Sequence, residues 1–427
     1  MRRSFVVSAL IALVAMCGFS AVTGSSMAAG VGPCPGTAAP IYSPSGALLG
    51  YQPIPILPGQ PVPPLPTPLV PTVPAGSITA ATTGAPGDAT AVLANLTMVD
   101  AAVSGYITAD KCTALASGPQ SKSNGNYDGS SAVANLSVVP LDADGRICVY
   151  NQTQVNLVVD VEGFFAPPST GGQKFGPSPP HRVLDTRVAP LVTPGAGSIT
   201  KVATGVAAGT TAVLVNLTMV DGTTPGYITA DVCSQLSPGP QTRSSGNHST
   251  STAIANLAVV PVDMDGSFCI YNQQPVNLVV DVQGSFTPTA GLQFDALPTT
   301  RKLDTRLSLV RPAAGSVTRV STGVTAGTAA VLVNLTMTSG LATGYITADR
   351  CSALAPGPQA KSSGNHSTIV AIANLAVVPV DADGSFCIYN QQPVDLVVDL
   401  QGTFSATGTQ QFFPIAQHRI LDTRTTK

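Results

Sequence analysis

Gly226-Tyr227-Ile228-Thr229-Ala230-Asp231-Val232-Cys233 opens a stretch that closes with Ser267-Phe268-Cys269-Ile270-Tyr271-Asn272, and near-copies of it begin at Gly105 and Gly344. The three copies carry their cysteines as Cys112/Cys148, Cys233/Cys269 and Cys351/Cys387, each pair separated by 36 positions. Three homologous modules follow from this, running from about Gly76 to Arg187, Gly197 to Arg306 and Gly315 to Arg424. Within the second, Val213, Val215, Leu217 and Met219 alternate with Leu214, Asn216, Thr218 and Val220, which predicts a strand buried on one face and mixed on the other. Further strands are expected at Ser198 to Ala203, Gly226 to Ala230, Ile254 to Val262, Phe268 to Asn272 and Val276 to Gln283, and a seventh, in the first copy, around His181 to Thr186. Seven short strands in about 110 residues, broken by Gly, Pro and Asp turns, predict an all-β chain of three tandem disulfide-stapled β-sandwich modules. A propeller is the rival, but its blades repeat every 40 to 50 residues or so, well short of the repeat length here.

Working outward, Arg182-Val183-Leu184-Asp185-Thr186-Arg187 recurs as Arg301-Lys302-Leu303-Asp304-Thr305-Arg306 and Arg419-Ile420-Leu421-Asp422-Thr423-Arg424. Each copy follows a cysteine unit and none precedes the first, so each is expected to close the module before it. The alternative assigns each copy to the next module, leaving the last to complete the first and close a ring. Upstream, residues Met1 to Ala28 read as an export signal, with Arg2 and Arg3, an apolar run from Phe5 to Phe19, and a small-residue cleavage site at Ser26-Met27-Ala28. Residues 29–75 read as a proline-rich spacer, extended and ladder-free from Pro53 to Pro74.

These residues resemble a family of repeated modules found in secreted and cell-surface proteins of actinobacteria, often beside cell-wall hydrolase domains. The match covers about residues 76 to 424: the Arg-x-Leu-Asp-Thr-Arg run, the Gly-Tyr-Ile-Thr strand leading to Cys, the Ala-Asn-Leu strand, the Asp-Gly turn before a Cys-bearing strand, and a Leu-Val-Val-Asp strand ending in Gly and Phe. The resemblance implies an extracellular accessory or structural role. It brings no chemistry with it, because the hydrolase domain of the enzyme-bearing members has no counterpart here.

The composition narrows the function classes. Only 10% of residues are charged, with 41 Gly and 37 Pro. Losing Arg2 and Arg3 with the signal would leave 18 basic against 22 acidic residues, so no basic stripe serves nucleic acid. No run after the signal is long and apolar enough to predict a membrane span. Evenly spaced cysteine pairs in an exported chain predict three intramodular disulfides, and Cys34 is left over, as a free thiol or as the bridge of a dimer.

The turns Asp142-Ala143-Asp144-Gly145, Asp263-Met264-Asp265-Gly266 and Asp381-Ala382-Asp383-Gly384 predict hairpins, with calcium as the alternative. Asp160, Asp281 and Asp399 lie in apolar strands with arginines recurring nearby, which predicts buried ion pairs that fix register. No histidine is constant: His248 and His366 align with Tyr127. No catalytic residue, cofactor or metal site is expected. The loops ending in Asn126-Tyr127, Asn247-His248 and Asn365-His366, polar and tipped by an aromatic ring, are the candidate ligand contacts. The expectation is a non-enzymatic, secreted or wall-associated protein with a structural or adhesive role. Cell-wall glycan or surface proteins are the expected partners, and a carbohydrate- or peptidoglycan-binding protein is the alternative.

Overall fold

The computed structural model describes residues 37–42, 48–54, 72–129, 132–250, 253–308, 310–368 and 371–425. The expected signal peptide and Cys34 lie outside these residues. The chain divides into two units, Met1–Val70 and Pro71–Lys427. Of the first, the described part is a hairpin of β1 (Thr37–Tyr42) and β2 (Leu48–Ile54), paired antiparallel from Thr37 opposite Ile54. A ladder therefore stands inside the stretch read as spacer, and it extends to Pro53, opposite Ala38.

The second unit contains eight strands per repeat. In the first they are β3 (Ile78–Thr82), β4 (Ala91–Val99), β5 (Gly105–Asp110), β6 (Gly125–Tyr127), β7 (Val133–Pro140), β8 (Arg146–Asn151), β9 (Asn156–Ala166) and β10 (Lys174–Asp185). The second repeats this order as β11 (Ile199–Ala203), β12 (Ala212–Val220), β13 (Gly226–Asp231), β14 (Gly246–His248), β15 (Ile254–Pro261), β16 (Ser267–Asn272), β17 (Asn277–Thr287) and β18 (Gln293–Asp304). The third comprises β19 (Val317–Ser321), β20 (Thr328–Thr338), β21 (Gly344–Asp349), β22 (Gly364–His366), β23 (Ile372–Pro379), β24 (Ser385–Asn390), β25 (Asp395–Ser405) and β26 (Gln411–Asp422).

The strands fall where alternation and β-branched residues place them, but their assembly corrects the expected fold. Apart from the paired β13 and β14 and their counterparts, successive strands switch sheets, so each repeat contributes to two four-stranded sheets, for example β11-β16-β13-β14 and β10-β17-β12-β15, the second completed by a strand of the repeat before. The six small sheets form a six-bladed β-propeller rather than three tandem sandwich modules. The long period hid this because one repeat holds two blades. The Leu-Asp-Thr-Arg strand is corrected as well. It pairs forward, β10 with β17 and β18 with β25, and the last, β26, pairs with β9 of the first repeat and closes a ring.

Ring closure also corrects the reading of the central strand. Every residue of β12 from Ala212 to Met219 is buried, on both faces. Val213, Val215, Leu217 and Met219 face a core shared with Val202, Ile228, Phe268 and Ile270 from the other sheet of the repeat. Leu214 faces the opposite way, into a cluster drawn from all three repeats. At the heart of that cluster six phenyl rings close a cycle, Phe165–Phe294–Phe404–Phe175–Phe286–Phe412, with neighbouring centroids 4.3–5.3 Å apart. Such tilted pairs contribute about 0.5–1.5 kcal/mol each beyond burial alone. Each repeat supplies two rings, so none owns this core.

A polar layer accompanies the aromatic one. Asn135, Asn256 and Asn374, on β7, β15 and β23, each accept at Oδ1 from a backbone N–H of the preceding repeat around the ring: Leu375, Leu136 and Leu257, at 3.0–3.2 Å. Their amides donate to Asn334, Asn95 and Asn216 at 3.0–3.1 Å. All six asparagines are at most 1% exposed. The three sheet edges that would otherwise expose backbone at the centre are thereby satisfied.

Candidate functional site

The arginine run organises the surface where repeats meet. In β10, Arg182 donates from Nε and Nη2 to the two carboxylate oxygens of Asp281 at 2.9 and 3.1 Å, and from Nη1 to Asp185 at 3.3 Å. Arg187 in turn grips Asp185 through Nε and Nη2 at 2.8 and 2.7 Å. The same four-residue network recurs as Arg301, Asp399, Asp304 and Arg306, and as Arg419, Asp160, Asp422 and Arg424. Bidentate geometry explains why arginine rather than lysine stands here. The hydrogen bonds from Arg187, Arg306 and Arg424 hold the carboxyls of Asp185, Asp304 and Asp422 below the usual range. The expected buried ion pairs are present, and each joins two repeats through the swapped strand.

Above each network lies an open cleft at a seam between repeats, of about 290, 390 and 170 Å³. The first places Arg182 and Arg187 opposite Tyr345, Gln359, Lys361 and Asn365. The second places Arg419 and Arg424 opposite Tyr227, Gln241, Arg243 and Asn247. The third places Arg301 and Arg306 opposite Tyr106, Gln120, Lys122 and Asn126. In the third, Arg301 also donates to the Ser121 carbonyl at 3.0 Å, tying the walls together. Each cleft pairs three cations with three carboxylates, since Lys361, Arg243 and Lys122 are bound to Asp349, Asp231 and Asp110. The clefts are polar without carrying net charge.

The candidate loops divide at this point. Asn126, Asn247 and Asn365 line the clefts. Tyr127, His248 and His366, expected at an exposed tip, instead sit in the short strands β6, β14 and β22 and are 1–2% exposed. The Tyr127 hydroxyl donates to the Thr153 carbonyl at 3.0 Å. The side-chain nitrogens of His248 and His366 have no hydrogen-bond partner, and burial lowers both pKa values, that of His366 to about 4. Glycine opens the slot they fill: a Cβ at Gly226 would stand 2.8 Å from His248 Nε2. The arginines and the Gly-Tyr-Ile-Thr tyrosines were not expected in the site. Their recurrence was the available signal, but the wall they share comes from another repeat.

The remaining expectations resolve as follows. The disulfides Cys112–Cys148, Cys233–Cys269 and Cys351–Cys387 are present, with Cα atoms 4.7–4.8 Å apart. The acidic turns are tight but are not hairpins, because β7 and β8, like β15 and β16, belong to different sheets. Their first carboxylates, Asp142, Asp263 and Asp381, accept from the backbone N–H of Cys112, Cys233 and Cys351 at 2.6–3.1 Å. Each therefore holds the short turn that carries a disulfide. Among the described residues no group of three or more His, Cys, Asp or Glu is placed to hold a metal ion, and no helix is long and apolar enough to cross a membrane.

No protein-family model and no curated protein matches the chain. Among solved structures it is similar to a chain in the atomic structure of Sulfolobus turreted icosahedral virus, at 11% identity over 87% of this chain and 91% of that one, with a TM-score of 0.18. It is also similar to the N-terminal CBM22-1-CBM22-2 tandem domain of Xyn10C from Paenibacillus barcinonensis, at 12% identity over 58% of this chain and 86% of that one, with a TM-score of 0.15. Likenesses at these scores carry no weight for fold or function.

Proposed function

We propose that the protein is a non-enzymatic, exported binding element that adheres to an uncharged, hydroxyl-rich glycan of a cell wall through three equivalent clefts. The observation that carries this is the threefold recurrence of one cleft with guanidinium edges, a tyrosine, and Gln and Asn amides, in which every cation already has a carboxylate. A charge-balanced site holds no surplus for a phosphate or a carboxylate ligand, while its amide and guanidinium donors suit sugar hydroxyls. The same pairing argues against catalysis: the cleft carboxylates are engaged by arginine or lysine, which leaves no general acid or base poised for proton transfer. Three weak sites on one rigid ring raise the effective concentration for a repetitive polymer without a new kind of contact.

Sedimentation of the purified protein with isolated cell wall, intact and stripped of its polysaccharide, tests this reading. Binding should follow the polysaccharide and fall at least tenfold in the triple variant Asn126→Ala, Asn247→Ala, Asn365→Ala. Equal binding to stripped wall, or binding indifferent to the triple variant, would reject it.

A further inference from the structure

One seam between repeats differs from the other two. Glu162 is the only glutamate in the chain, and Gln283 and Gln401 occupy its place in the second and third repeats. It is the extra residue of a bulge in β9. The register passes from Gly163 to Val161 on the β4 side, and from Pro414 opposite Gly163 to His418 opposite Val161 on the β26 side. Freed from both ladders, Glu162 lines a cavity of about 320 Å³ between the second repeat and the sheet in which β26 of the third repeat pairs with β9, with Arg243 and Asp231 beside it and Val259, Pro261 and Ile415 providing apolar wall.

The polar atoms there are incompletely matched. The Oε2 of Glu162 is buried without a hydrogen-bond partner, and so is Nε of Arg243. Asp231 is fully engaged, by the Val232 N–H at 2.8 Å and by Arg243 Nη2. Among the described residues the other buried carboxylates, Asp110, Asp160, Asp281, Asp349, Asp395 and Asp399, are each salt-bridged, and Glu162 is not. With Arg243 balanced by Asp231, an ionised Glu162 leaves the cavity one positive charge short. An anion would meet two carboxylates. A cation with an adjacent acceptor would satisfy both orphaned atoms once the two side chains, now shielded, turn toward the cavity they line.

We propose that this cavity binds a small primary amine bearing a neighbouring hydroxyl or carbonyl oxygen, its ammonium received by Glu162 and its oxygen by Arg243 Nε–H, with an apolar body against Val259, Pro261 and Ile415. Amino sugars and amino-acid derivatives share this chemistry. Burial pushes the empty Glu162 carboxyl up to about 8, so an arriving ammonium converts a protonated acid to a carboxylate and expels close to one proton at pH 7.

Titration calorimetry on the full chain at pH 7, in phosphate and in Tris, reads affinity, stoichiometry and proton release together. Glucosamine and leucinamide are the probes, and glucose and 4-methylpentanamide, which lack the amine, are their controls. The expected result is one site per chain, a buffer-dependent enthalpy reporting proton release, no binding of the controls, and affinity reduced at least tenfold in Glu162→Gln. That variant carries the residue the other two repeats use and should fold. Arg243→Lys, which removes the Nε–H, should also weaken binding. Binding of glucosamine alone or of leucinamide alone identifies the source of the amine. Binding of neither probe, a leucinamide stoichiometry of three, or unchanged affinity in Glu162→Gln would overturn the proposal. Wall sedimentation by the three repeated clefts is read separately, in Glu162→Gln, because Arg243 lines one of those clefts as well as this cavity.

Discussion

Glu162 and His366 are titratable side chains that fold neutral, and they set opposite limits on pH stability. The folded carboxyl of Glu162 holds its proton to about pH 8, against an ordinary value of 4.5. Stability is therefore fully present below about 4.5 and declines as pH rises toward 8, because the unfolded chain ionises first. Glu162→Gln should raise stability by on the order of 3 kcal/mol at pH 7–8 and leave it nearly unchanged at pH 4, a difference that denaturant titration at the two pH values would show. His366 works in the other sense. With its folded value lowered to about 4, the unfolded chain takes up the proton first, so stability is present above about 6.5 and is lost as pH falls toward 4. Burial lowers His248 in the same direction. Replacing each histidine by the first repeat's pair, as His366→Tyr with Gln392→Thr and His248→Tyr with Gln274→Thr, should flatten the acid limb of a melting-temperature profile. An unaltered acid limb would show that these rings do not cause it. From the sequence, a ring after Ser-Gly-Asn looked exposed. It is buried because Gly105, Gly226 and Gly344 vacate the space beside it, a steric fact with no periodicity to announce it.

At the scale of elements, the long strands were legible and their partners were not. Alternation marked β12 correctly, yet Leu214, Asn216 and Thr218 read as a mixed face where the structure buries them all, since nothing local reveals that another repeat covers them. Asn95, Asn216 and Asn334 are the acceptors of the central asparagine layer, a role that no local pattern announces. Gly284 is a second case. A Cβ there would land on the Phe175 ring, as at Gly163 against Phe412 and Gly402 against Phe294. Gly284→Ala should destabilise by about 1–3 kcal/mol or more through overpacking, measurable as a lowered melting midpoint. The disulfide turns were readable in full, because constant spacing needs no tertiary partner. Replacing Cys351 and Cys387 together by Ser should cost about 3–4 kcal/mol on the chain-entropy account of a 36-residue loop, detectable as a shift in the denaturant midpoint.

At the scale of the whole molecule, the swapped Leu-Asp-Thr-Arg strand makes the three repeats one cooperative body. Both readings of that strand were open in the sequence, since the run is equidistant in character from the module behind and the module ahead. Pairing across the ring decides it. Deleting residues from Gln411 onward would strip β26 from β9, remove Phe412 from the aromatic cycle and unpair Asp160 from Arg419. Circular dichroism during urea titration should then show the whole unit lose its cooperative transition. Loss of one third of the signal, with the remainder unfolding as before, would contradict the closed ring. The two ends of the ring meet at the start of β9, where Val73 bonds to Val155 and the Thr423 N–H reaches the Leu157 carbonyl at 3.0 Å.

Closure of the aromatic cycle bears on how such a chain can evolve. An open array gains or sheds a unit at either end by a single duplication or deletion, and each intermediate length is still a folded protein. Six phenyl rings meeting around one axis admit no such step. A fourth copy would have to widen the cycle and leave a void at its centre, and a second copy alone would leave four rings with their outer faces wet. Copy number is thus inherited as a fixed integer, and variation is confined to substitutions that distinguish one seam from its sisters, as Glu162 does.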